Sequence, residues 1–174
     1  MKKRNFYVFC PHKFIFKFKL RPYSVSQFII MAKKNTPTIH HATTDADYEK
    51  CFEVIKELRP HVEEESFIYL MREMMNDGYH LIYIEEDGKA VSVCGYRYLK
   101  YLFIGHHIYI DDLCTLPEYR GNGLAGALLD HTIQLALEKG LTAVTLDSGH
   151  HRSDAHRLYL NKRFKISSHH FILR

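Results

Sequence analysis

No run of apolar residues in this chain reaches the roughly 18 needed to cross a bilayer, which leaves no membrane-spanning helix to expect. Cysteine is scarce. Cys10, Cys51, Cys94 and Cys114 fall at no paired spacing, which argues against a disulfide scaffold or a cysteine-type zinc site. Free thiols of this kind fit a reducing, cytoplasmic compartment. The chain has 13 histidines but no His-Glu-x-x-His motif. His150, His151 and His156 are near in sequence, and His169-His170 are adjacent, but neighbours on a strand face opposite ways. No metal site is expected. A Gly-Lys-Ser/Thr phosphate loop is absent. So is the three-glycine dinucleotide fingerprint with its acid about 20 residues on. No internal repeat or low-complexity stretch occurs.

Residues 1–31 lack acidic side chains altogether, yet carry Lys2, Lys3, Arg4, Lys13, Lys17, Lys19 and Arg21. Setting these seven aside leaves 17 basic against 20 acidic side chains, so residues 32–174 have a net charge of −3. The chain's overall +4 therefore reflects the N-terminal segment alone. The body presents no nucleic-acid footprint, and neither nucleic acid nor membrane is an expected partner. Residues 1–31 read as a basic extension: a disordered arm, or a stretch upstream of a true start at Met31. A secretory signal would need an uninterrupted apolar core of about 7–15 residues, which is missing. A transit peptide stays open, although serine is sparse. A length of 174 residues suits one domain, placed at 32–174.

Periodicity sets out the elements. Residues 36–43 alternate weakly as a first strand. Thr44 or Asp45 caps a helix over 45–58, with Phe52, Ile55 and Leu58 inward, and Arg59-Pro60 ends it. A second helix spans 62–76 and stops at Asp77-Gly78. Strands at 79–85 and 89–101 flank a hairpin turn at Glu86-Asp87-Gly88. A strand at 107–116, a helix at 121–139, a strand at 141–147, a helix at 153–162 and a last strand at 164–173 follow. This order mixes hairpins with one βαβ step. The class is α+β, with a mixed, mostly antiparallel sheet flanked by helices.

The most informative stretch is Leu113-Cys114-Thr115-Leu116-Pro117-Glu118-Tyr119-Arg120-Gly121-Asn122-Gly123-Leu124-Ala125. It reads as a strand end, a glycine-bearing loop and a helix start. A helix N-terminus offers unpaired N–H groups and positive dipole, suited to a phosphate or pyrophosphate. Gly121 and Gly123 let the backbone approach it. This run resembles the acyl-CoA-binding motif of the GCN5-related N-acetyltransferase (GNAT) family. A second segment, Asp154-Ala155-His156-Arg157-Leu158-Tyr159-Leu160-Asn161-Lys162-Arg163-Phe164, resembles that family's Asn-x-x-Ala-x-x-Leu-Tyr-x-x-x-Gly-Phe. Arg152 stands where Asn is common and Arg163 where Gly is usual, which implies a different turn before the last strand. The resemblance covers about four-fifths of the chain, from residue 36 onward.

The resemblance implies the GNAT-like acyl-CoA N-acyltransferase fold and an enzyme that moves an acetyl group from acetyl-CoA, its co-substrate, to a primary amine of a small molecule. Direct attack in a ternary complex is the implied route. The backbones of Leu113, Cys114 and Thr115 would meet the pantetheine arm. Residues Arg120, Gly121, Asn122, Gly123, Leu124 and Ala125 would hold the pyrophosphate, although the Arg120 side chain could equally pin the loop. Asp111 or Asp112 would deprotonate the amine, unless salt-bridged for structure. Tyr159 would protonate the leaving thiolate, its alternative being a packed core tyrosine. Arg152, His156 and Arg157 resemble a subgroup that includes aminoalkylphosphonate N-acetyltransferases and would meet an anionic group; the plainer reading is a solvated basic face. Cys114 as a covalent carrier lacks a motif-spaced base. A non-catalytic acyl-CoA-binding or regulatory module and a protein N-acetyltransferase are the alternatives, with a homodimer left open.

Overall fold

The computed structural model describes residues 37–173. The basic extension at 1–31 lies outside them. The elements run β1 (Ile39–Ala42), α1 (Asp45–Leu58), α2 (Glu64–Asn76), β2 (Tyr79–Glu86), β3 (Lys89–Tyr101), β4 (Gly105–Thr115), α3 (Leu124–Glu138), β5 (Ala143–Leu146) and α4 (Ser153–Asn161), with a 3-10 turn at Pro117–Tyr119. The five strands form one sheet in sequence order, β1-β2-β3-β4-β5. The first three pairings are antiparallel and β4–β5 is parallel.

Strand alternation divides the core between the two faces. Leu81, Tyr83 and Val93 face α1 and α2, and pack on Cys51, Phe52, Val54, Ile55, Phe67 and Met71. Ile82, Ile84, Val91, Ile108 and Ile110 face α3, and pack on Leu124, Leu128 and Leu129. Period-2 strands between helices of period 3.6 fill both layers.

Helix α1 begins at a capping box. Asp47 N donates to Thr44 Oγ1 at 3.3 Å, and Asp47 Oδ2 accepts from Thr44 N at 3.0 Å. Burial alone would raise the Asp47 carboxyl, but hydrogen bonds from Thr43, Thr44 and Tyr83 bring it down to about 2. At the other end Pro60 disfavours helical geometry for its predecessor. Arg59 leaves the helix at φ −126°, ψ 71°, with its side chain directed at β4.

Two expectations change. The alternating segment at 164–173 does not pair as a strand. Phe164 packs beside Tyr159 on the α3-side core, but Ile166, Phe171, Ile172 and Leu173 are exposed and find no face to bury against. Arg163 also does not impose a different turn. It takes φ 68°, the left-handed conformation that glycine favours. Phe164 then turns back, its N–H donating to Tyr159 O at 2.9 Å.

Candidate active site

The site begins where the sheet opens. β5 pairs with β4 only from His107↔Ala143 to Ile110↔Leu146. Beyond Ile110, β4 continues to Thr115 with β3 on one side and no strand on the other. Beyond the last β5 pair the Asp111 and Thr115 carbonyls are taken by the Arg59 and Arg120 side chains, and no strand of the described residues covers the stretch between them.

A bulge sits at the opening. Gly95 pairs with Asp112 and Tyr96 with Ile110, so Asp111 is the extra residue. The bulge resets the alternation. Ile110 and Leu113 pack on the α3 side, and Cys114 on the α1/α2 side. The consecutive carboxylates part company. Asp112 is buried on the α1/α2 face, accepting from Tyr79 Oη at 2.9 Å and Arg59 Nε at 2.9 Å. Asp111 turns to a cavity of about 250 Å³ in the opening.

That cavity is lined by Leu58, Arg59, Ile110, Asp111, Leu113 and Leu146, and on its far side by Asp147, Ser148, Gly149, His151, Arg152 and Tyr159. Thus Asp111, Leu113, Arg152 and Tyr159 of the sequence reading come together. Asp112 lies behind this cavity, among the residues that line a second one on the α1/α2 side. His156 is not among the lining residues, and Arg157 is largely exposed and pairs with Asp154 at 3.6 Å.

The chemistry of the lining is specific. Asp111 Oδ2 is buried and lies 3.3 Å from Arg97 Nε, an ion pair without a hydrogen bond. Burial raises the Asp111 carboxyl above the usual carboxylate range, against the pull of Arg97. Ser148 Oγ is also buried without a partner among the described residues. Buried polar atoms without a partner are uncommon, and Ser148 Oγ beside the Asp111 carboxylate marks a place for a polar ligand. Burial likewise raises the Tyr159 phenol, so it holds its proton firmly. Cys114 is buried, which pushes its thiol up and keeps it from being a thiolate nucleophile.

The glycine loop lies at the C-terminal end of β4. Gly121 and Gly123 have φ of 80° and 82°, the left-handed backbone that glycine accepts without strain. Their turn brings the chain directly into α3. No side chain caps that helix and its first turn holds no acid. The N–H groups of residues 121–126 donate to no acceptor among the described residues, whereas Ala127 N already reaches Gly123 O at 3.0 Å. Such a terminus fits a diphosphate. The Arg120 side chain holds the loop instead: Nε donates to Thr115 O at 3.1 Å and Nη2 to Glu57 Oε1 at 2.7 Å.

Sequence reasoning missed Arg59, Tyr79, Gly95, Asp147 and Ser148. Only Gly95 gave a local signal, as a glycine inside a strand. Arg59 was read solely as a helix end.

Comparison with known proteins agrees with this geometry. The family model described as Acetyltransferase (GNAT) family matches residues 43–164. The uncharacterized N-acetyltransferase YhdJ of Bacillus subtilis is 30% identical over 131 residues, covering 74% of this chain and 92% of that protein. A transcriptional regulator from Bacillus halodurans superposes with a TM-score of 0.70 at 23% identity, over 79% of this chain and 99% of its own. AAC(6')-Iy, solved with the bisubstrate analog CoA-S-monomethyl-acetylneamine, superposes with a TM-score of 0.66 at 15% identity, over 79% of this chain and 96% of its own.

Proposed function

This chain belongs to the GNAT acetyltransferase family and is an N-acetyltransferase, and from that premise we propose that it acetylates the primary amine of a small molecule by direct attack on acetyl-CoA in a ternary complex. The observation that carries the reading is the Asp111 carboxylate, set beside Arg97 and in one cavity with the Tyr159 phenol at the open end of β4. A carboxylate at the edge of that cavity suits an ammonium group of the acceptor.

Each residue then has a role. The free N–H groups of residues 121–126 take the pyrophosphate, and the unpaired edge at Leu113, Cys114 and Thr115 takes the pantetheine arm. Asp111 accepts a proton from the ammonium, directly or through one water. The neutral nitrogen attacks the thioester carbonyl carbon. A backbone N–H of β4 receives the developing oxyanion. As the C–S bond breaks, Tyr159 gives its proton to the thiolate, and the proton that the attacking nitrogen sheds as the amide forms returns through water to the tyrosinate. A phenol kept protonated by burial suits that step. Asp112 is already satisfied by Arg59 and Tyr79 and is not the base. An anionic group on the acceptor, as in an aminoalkylphosphonate, would meet Arg152 and His151. Buried thiols at Cys51, Cys94 and Cys114 accord with a cytoplasmic setting.

The test is acetyl-CoA-dependent thiol release with a panel of amines, covering aminoalkylphosphonates, diamines, aminoglycosides and peptide N-termini. Turnover of a small amine supports the proposal. Acetyl-CoA binding with no turnover on any amine favours a non-catalytic module, and turnover of peptides alone favours a protein N-acetyltransferase.

A further inference from the structure

We infer that Arg59, Tyr79 and Asp112, with Gly95 as the gap between them, form a clamp that fixes the β4 bulge and so positions Asp111. The inference rests on the acetyl-transfer reading for its functional consequence, but the clamp itself is geometric. A bulge leaves one residue without a cross-strand partner and weakens the ladder around it. Here that residue is Asp111, so something other than the sheet must hold it.

Arg59 does so from the end of α1. Its Nε donates to Asp112 Oδ1 at 2.9 Å, its Nη2 lies 2.8 Å from the same oxygen, and Nη2 also donates to the Asp111 carbonyl at 3.1 Å. One planar guanidinium thus spans both residues of the bulge, which a lysine ammonium could do only in part. Asp112 is 7% exposed, and a buried carboxylate is tolerated only when fully paired. Its other oxygen accepts from Tyr79 Oη at 2.9 Å.

Tyr79 reaches Asp112 by crossing β3 at Gly95. A Cβ at position 95 would stand 1.7 Å from Tyr79 Oη and 2.2 Å from Cζ. The missing side chain is therefore what admits the phenol. Arg97 steadies the opposite side. It lies over the Tyr79 ring at 5.4 Å, donates from Nη1 to Asp77 O at 2.9 Å, and pairs with the Asp111 carboxylate. Tyr79 and Gly95 do not line the active-site cavity, and Arg59 borders it while its guanidinium is bound to Asp112 and the Asp111 carbonyl. They are positioning residues that act through the bulge.

The experiment compares Arg59→Ala, Arg59→Lys, Tyr79→Phe, Gly95→Ala and the double variant Tyr79→Phe/Gly95→Ala in the full chain. Three quantities are read: kcat with an accepted amine, acetyl-CoA affinity, and amide hydrogen exchange across residues 110–114. The clamp predicts that Arg59→Ala lowers kcat by about tenfold or more while acetyl-CoA affinity stays within about twofold, with Arg59→Lys in between. It predicts faster exchange at the bulge in each variant. Gly95→Ala should be more severe than Tyr79→Phe, because its Cβ meets ring carbons that Phe keeps, and the double variant should be no worse than Gly95→Ala, because the displaced ring has already lost its contact with Asp112. Unchanged bulge exchange in Arg59→Ala, or independent, multiplying effects at positions 79 and 95, overturns the inference. If the wild-type chain turns over no amine, the acetyl-transfer reading fails while the exchange arm still decides the clamp.

Discussion

Two consecutive carboxylates serve opposite purposes because one bulge sends them to different environments. Asp112 is buried and paired with Arg59 and Tyr79, and Asp111 is half-buried with its Oδ2 beside Arg97. Burial raises the Asp111 carboxyl in the folded protein. The folded state therefore binds this proton more tightly than the unfolded chain. The stabilisation is complete below the ordinary carboxylate range and is lost as pH rises through the raised value. At neutral pH burial therefore disfavours the ionised form of Asp111, against the pull of Arg97. Asp111→Asn should accordingly raise the melting temperature at pH 7 while removing the acid limb of the kcat/KM profile. Melting curves and a pH–rate series check both. Tyr159→Phe should lower kcat by about 10–100-fold with acetyl-CoA affinity nearly unchanged, by steady-state kinetics and titration calorimetry. Unaltered kcat would remove its assigned role.

Among the elements, the start of α3 is built for an anion: two left-handed glycines, no capping side chain, and no acid in the first turn. Ala125→Glu tests this by opposing effects. A carboxylate in the first turn should stabilise the helix by about 0.3–1 kcal/mol through the dipole, and should weaken acetyl-CoA binding by competing for the same N–H groups. Chemical denaturation and calorimetry read the two signs. At α1 the capping box sets the helix that delivers Arg59. Thr44→Ala should cost about 1 kcal/mol, within about 0.5–2. Several features were legible in sequence because they are local: a cap at Thr44 or Asp45, Gly121 and Gly123 before an apolar helix, Asp87-Gly88 at a hairpin; the reciprocal bond from Asp47 was not read. The clamp was not legible, since Arg59, Tyr79, Gly95 and Asp112 meet only after the sheet and α1 assemble. The last strand was over-read for a related reason. Alternation at 164–173 is a local signal, but its apolar side chains beyond Phe164 have no buried face to join.

At the scale of the molecule, function follows from one divergence. β4 and β5 share four residue pairs and then part, which opens a cavity between the sheet and α4. The described residues contain no helix long and apolar enough to cross a membrane, and no cluster of three metal-ligating side chains. The residues of the candidate site lie between Glu57 and Tyr159, within the 43–164 span that the family model matches. A chain begun at Met31 should therefore keep its kcat/KM, and a marked loss on removing residues 1–30 would assign that segment a role in the site. The most direct test of the whole account is initial velocity with acetyl-CoA and an accepted amine varied together. Direct transfer in the opening predicts intersecting double-reciprocal lines and no acetylated Cys114 by mass spectrometry. Parallel lines with an acetyl group on Cys114 would contradict it.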